Sequence, residues 1–139
     1  MHAGKVLIGF ALIWIIIGCI IGFVMGINQK AYLAGMEQYA NDGNLAGFWT
    51  CFEAWKAHSV AHSHGLCLSM VAFLVGLAMT ANVIRDFRIL VMCLLIIGVS
   101  LASISDLFKA VPGIVIGDSL FIIGLCLAFA FLIKSKDED

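Results

Sequence analysis

Apolar positions along the chain fall into four long blocks separated by short polar stretches. The first covers about residues 6–27, an uninterrupted apolar run with Lys5 before it and Asn28-Gln29-Lys30 after it. The bilayer hydrocarbon is about 30 Å thick and a helix rises about 1.5 Å per residue, so about 20 apolar residues make one crossing. This run is longer than the apolar region of a signal peptide, and no small-x-small cleavage site follows it, so it reads as a permanent transmembrane helix. The second block covers about 57–84 and ends at Arg85-Asp86-Phe87-Arg88, which reads as a short hairpin. The third covers about 89–105, and a second hairpin from Asp106 to Pro112 leads into the fourth, about 112–133, closed by Lys134-Ser135-Lys136. Pro112 suits a helix start, where its missing N–H costs nothing. The pattern predicts an all-α fold: an integral membrane four-helix bundle, a single transmembrane domain over 1–139.

The longest polar connection, 28–56, carries Tyr32, Tyr39, Phe48, Trp49 and Trp55. Such a spread suits a segment at headgroup level, partly helical and turning at Asn41-Asp42-Gly43-Asn44. Gly18, Gly22 and Gly26 recur every four residues on one face of the first span, a small-residue pattern that lets helix backbones approach closely in lipid. That face is expected to meet a neighbouring helix.

Composition agrees: 63% of the residues are apolar and 12% charged, against roughly half and a quarter in soluble domains. Period-2 alternation of a transmembrane β-barrel is absent. With a net charge of −1 and no basic run, the chain lacks the electrostatic footprint of nucleic-acid binding. With the N-terminus inside, Lys5, Arg85, Arg88, Lys134 and Lys136 face the cytoplasm, and Lys30, Lys56 and Lys109 lie outside. The basic excess predicts an N-in, C-in topology in the inner (cytoplasmic) membrane. Five cysteines, Cys19, Cys51, Cys67, Cys93 and Cys126, show no CxxC spacing and read as inert core thiols.

Chemistry concentrates where the second span enters the membrane, at Trp55-Lys56-Ala57-His58-Ser59-Val60-Ala61-His62-Ser63-His64-Gly65. On a helix His58 and His62 lie about 40° apart in azimuth and share a face, whereas His64 is about 240° from His58. Three histidines therefore cannot hold one ion from a regular helix. A neutral imidazole inside a bundle can bind haem iron axially, and the small residues Ala57, Ser59, Ala61, Ser63 and Gly65 leave room for a flat macrocycle. The alternative is that interfacial histidines reach for water. A copper or zinc pair at His58 and His62 has only two ligands and no carboxylate on the same face. Asp118, about one and a half turns into the fourth span, stands at about the depth of the histidines, where an unpaired carboxylate is costly. It is expected either beside a histidine, orienting the ring, or stabilised at its helix N-terminus and open to water. Asp106 and Lys109 read as solvated loop charges facing each other, and Ser100, Ser103 and Ser105 as interhelical hydrogen-bond donors.

The order of elements resembles the styrene oxide isomerase family, small bacterial membrane enzymes of four helices. That family carries a Trp shortly before Ala-His-Ser, four residues, then Asn-Gly at the head of its second helix. Here Trp55 precedes Ala57-His58-Ser59, four residues follow, and then His64-Gly65. Gly117-Asp118 is similar to a Gly-Asp near the start of the family's last helix. The resemblance implies a trimer with haem b between subunits, its iron bound by His58. It also implies Lewis-acid opening of an epoxide in an apolar small molecule, isomerised to an aldehyde without net redox. His64 stands where the family has asparagine, and the family's Asp-Gly-Trp-Ala-Asn and following tyrosine have no counterpart, the only tyrosines being Tyr32 and Tyr39. His62 or His64 is then expected as a second iron ligand or as an acid–base group of the pocket, with His64 and Asp118 the catalytic candidates. Were His64 to ligate the iron from a neighbouring subunit, the bis-histidine site would suit electron transfer. A further alternative is a non-catalytic accessory subunit packed through the glycine-striped first helix.

Overall fold

The computed structural model describes residues 2–84 and 87–136, and no side chain beyond Ile133. It contains four helices, α1 His2–Asn41, α2 Leu45–Thr80, α3 Arg88–Leu107 and α4 Val111–Lys136, each with a stretch long and apolar enough to cross a membrane. The chain is an all-α four-helix bundle, as its apolar blocks predict. Arg85 and Asp86 of the expected first hairpin, and Asp137–Asp139, lie outside the described residues.

The main difference from the sequence reading is in the connection 28–56, which is almost wholly helical. Residues 28–41 are mostly good helix formers (Lys, Ala, Leu, Met, Glu, Gln) with no proline, so α1 continues without interruption to Asn41. The chain turns at the expected site. Gly43 takes a left-handed φ of +66°, Asn44 N–H donates to the Tyr39 carbonyl at 2.9 Å and Gly43 N–H to Ala40 at 3.2 Å. This is the Schellman closure that satisfies helix-end carbonyls. Asn44 then caps α2, its side-chain oxygen accepting from Gly47 N–H at 2.9 Å. The same closure ends α2 at Asn82 (φ 61°) and α3 at Lys109 (φ 54°), with Val83 N–H to Ala78 at 2.9 Å and Ala110 N–H to Ser105 at 2.8 Å. α2 therefore stops at Thr80, short of the expected 84.

Helices α1 and α2 pair along their lengths, as do α3 and α4, and the two pairs join chiefly through α2 and α3. The core is formed by Leu7 and Ala11 of α1, Ala72 and Met79 of α2, Val91, Leu95 and Val99 of α3, and Phe121 and Ala128 of α4. Glycines set the closest approaches. A Cβ on Gly4 would lie 2.8 Å from the Gly76 carbonyl, and one on Gly98 would lie 2.8 Å from the Phe121 nitrogen. Of the α1 stripe, Gly18 receives Leu66 and Gly22 receives the His62 ring, while Gly26 faces open space. The stripe meets α2 over part of its length only.

α3 spans 20 residues, about 30 Å, the thickness of the hydrocarbon. Its Asp106 meets His64 and it turns back into α4 shortly beyond, whereas α2 begins at Leu45, about 30 Å before His64, so the α1–α2 pair projects past the turn. On the projection, Phe48, Trp49, Phe52 and Trp55 form a run of ring contacts leading towards the histidines. The cysteines are free, and Cys19, Cys67, Cys93 and Cys126 lie on exposed surface rather than in the core. Glycine, alanine and serine occupy the tight interhelical positions, which leaves these thiols on the outer faces. Only Cys51 is half-buried, its thiol donating to the Tyr32 carbonyl at 3.6 Å.

Candidate functional site

The three histidines of α2 diverge as helical geometry requires, each into a different environment. His58 is exposed, and its Nδ1 lies 2.8 Å from the Ala54 carbonyl one turn earlier. A carbonyl only accepts, so Nδ1 carries the proton and Nε2 keeps a free lone pair. His62 turns towards α1. Its Nδ1–H donates to the Gly18 carbonyl at 2.7 Å and its ring packs on Gly22, which also leaves Nε2 as the unprotonated nitrogen.

Between α1 and α2 lies an open groove of about 190 Å³ lined by Gly22, Met25, Gly26, Gln29, Trp55 and His62. Gly26 leaves its floor open, since a larger side chain there would project into that space, while the His62 ring covers Gly22. Trp55, His58 and His62 lie within about 60° of azimuth on α2; Trp55 and His62 line the groove, and the exposed His58 lies outside its lining on the same side of the helix. This groove and His58 are the elements that could hold a flat cofactor.

His64 points the other way, into the α3–α4 side of the bundle. Its Nδ1–H donates to Asp106 Oδ2 at 2.6 Å, and its Nε2 stands 3.1 Å from Asp118 Oδ1. The second contact lies off the direction of a ring N–H, and the buried Asp118 Oδ1 has no hydrogen-bond partner among the described residues. The Asp106 side chain is only 4% exposed, His64 is 26% and Asp118 34%. Asp118 thus stands beside a histidine, the first of its two expected placements.

Asp106 corrects the reading of a solvated loop charge: it is buried, and Lys109 is drawn instead to Glu53, at 3.7 Å. The signal was present in the sequence. Val91, Leu95, Val99 and Ala102 form the buried stripe of α3, and Asp106 falls on its next position. Ser103 differs from expectation too, since its buried hydroxyl has no hydrogen-bond partner among the described residues. Gly65 stands against it, where no side chain can answer.

Among the described residues, no group of three or more His, Cys, Asp or Glu side chains is placed to hold a metal ion. His62 presents a base nitrogen towards α1 and the exposed His58 presents one at the surface, whereas His64 turns to the other side of α2, hydrogen-bonded to Asp106 and close to Asp118. Comparison with protein-family models, curated proteins and solved structures gives no match.

Proposed function

We propose that the protein binds haem b in the membrane, with His58 as axial ligand to the iron, and acts on an apolar small molecule as an isomerase-like Lewis-acid site. The observation that carries this reading is the hydrogen bond from His58 Nδ1–H to the Ala54 carbonyl at 2.8 Å. Ligating histidines donate their other ring N–H in this way, which fixes the tautomer and makes the ligating nitrogen more basic. The likeness of Trp55 and Ala57-His58-Ser59 to the styrene oxide isomerase motif points to the same residue.

The groove fits one part of a macrocycle. Gly26 supplies an open floor, Trp55 an aromatic wall, and His62 a ring seated on Gly22 and held in place by the Gly18 carbonyl. Its 190 Å³ is below the roughly 300–1,000 Å³ of sites that enclose a drug-sized ligand. The remainder of a haem needs cover from outside the chain, and a second copy of the exposed His58 face supplies it in a homo-oligomer, a trimer by the family likeness. Ferric haem held by one histidine supplies a Lewis-acid centre for an oxygen-containing substrate. His64 turns away from the groove towards Asp106 and Asp118, so within one chain it does not share the iron with His58.

Purified full-length protein, reconstituted with haemin and assayed as the pyridine haemochromogen, tests this. The expected result is one haem per chain, high-spin in the ferric state and shifted by added cyanide. A low-spin spectrum insensitive to cyanide favours the electron-transfer alternative, and absence of haem together with copurifying chains favours an accessory subunit.

A further inference from the structure

The polar cluster on the opposite side of α2 is independent of the groove and of His58. From α3 it is faced by Asp106 and from α4 by Asp118, while Lys109 in the intervening turn is engaged by Glu53. The nearby α1 segment, Trp14 to Ile21, carries no charged residue. His64 therefore stands between two carboxylates of unequal exposure, 4% for Asp106 and 34% for Asp118, with no lysine or arginine among the described residues drawn in to neutralise them.

We propose that His64 relays protons between the outer aqueous phase and the buried Asp106 carboxylate, with Asp118 as the entry group. Three observations carry the assignment. The imidazole has a carboxylate oxygen near each nitrogen, hydrogen-bonded at 2.6 Å on the Nδ1 side and at 3.1 Å but off the hydrogen-bond direction on the Nε2 side, so that realignment of the Asp118 side chain completes the layout in which a ring takes a proton on one side and gives one up on the other. Asp118 Oδ1 is buried without a hydrogen-bond partner, so it is an acceptor that a proton would satisfy. Of the two carboxylates Asp118 is the more exposed, 34% against 4% for Asp106, so it is the one that an incoming proton can reach.

The step balances on these atoms. A proton on Asp118 Oδ1 passes to His64 Nε2 as the Nδ1 proton passes to Asp106 Oδ2. Asp118 is left as carboxylate, Asp106 as carboxylic acid, and the ring as its other neutral tautomer; the reverse transfer resets the site. The ligand is the proton itself, and no oxidant, reductant or metal takes part.

Infrared difference spectroscopy of the full-length protein in lipid vesicles, on pH jumps across the ordinary carboxylate and imidazole ranges, about pH 3 to 8, tests the relay. The expected result is a carboxylic-acid C=O band that shifts in D2O, is lost in Asp106→Asn, and appears together with a change in imidazole ring modes. In Asp118→Asn the band should appear at least tenfold more slowly, and in His64→Gln it should not respond to the pH jump. Circular dichroism identifies any variant that has lost its helices, and D2O exchange of the band in the unaltered protein serves as a readout that needs no variant. No protonation change at Asp106 in the unaltered protein overturns the proposal, as does an unchanged rate in folded Asp118→Asn and His64→Gln. Haem loading is not read in these measurements, so the haem assignment stands or falls separately.

Discussion

At the scale of the residue, burial decides which charges matter. The His64–Asp106 pair lies inside the helix bundle, with Asp106 only 4% exposed. A hydrogen bond involving a charged group contributes about 1.5–3 kcal/mol, and Asp106→Asn, which keeps the shape and removes the charge, should cost about that much. Glu53 and Lys109 are half exposed and 3.7 Å apart, so Glu53→Ala should change stability by no more than about 1 kcal/mol. Thermal unfolding of both variants in the same detergent, followed by circular dichroism, checks the contrast; equal losses would remove the special standing given to Asp106. The two residues also show what was legible at this scale. Asp118 stands out in the sequence because it interrupts an apolar block. Asp106 borders a polar hairpin and looks like an ordinary loop charge until the buried stripe of α3 is carried one position further.

At the scale of the element, glycines fix how the helices meet. Gly98 and Gly117 let α3 and α4 touch through backbone, with a Cβ on Gly98 only 2.8 Å from the Phe121 nitrogen. Gly98→Leu forces the helices apart and should lower the unfolding temperature by several degrees or prevent assembly. Gly9→Leu, where nothing lies within 4 Å, should leave it unchanged. Gly26→Leu separates fold from function: no neighbour lies within 4 Å, so the helices should form, but the side chain fills the groove and haem loading should fall severalfold. Retained loading in Gly26→Leu would place the haem elsewhere. The sequence showed the small-residue stripe and the turn at Gly43. The other two helix ends were harder to read, because Asn82 and Lys109 adopt the left-handed conformation that glycine adopts most readily, and only the first of them is a common substitute.

At the scale of the whole molecule, apolar blocks made the number of helices readable, but not the length of α1 and α2. A polar stretch of good helix formers between two apolar blocks carries no hydropathy signal for a crossing, yet nothing in it ends a helix before Gly43. The resulting α1–α2 pair extends past the turn between α3 and α4, where Lys109 of the turn reaches Glu53 of α2 at 3.7 Å. With four antiparallel crossings, a cysteine placed at Asn44 and one placed at His2 lie on opposite sides of the membrane. Each should react with an impermeant maleimide from one side only; labelling of both from the same side would rule out the bundle as a four-span unit. Native cysteines other than Cys51 face outwards along the spans and should remain unlabelled while lipid covers them.

The central claim is that the iron of haem b is held by His58. Haemin titration of His58→Gly, with and without added imidazole, tests it most directly, because free imidazole can occupy the space of the missing ring. The prediction is a Soret band at one haem per chain in the unaltered protein, its loss in His58→Gly, and its return with imidazole. Haem binding unchanged in His58→Gly, or no haem binding by the unaltered protein, would contradict it.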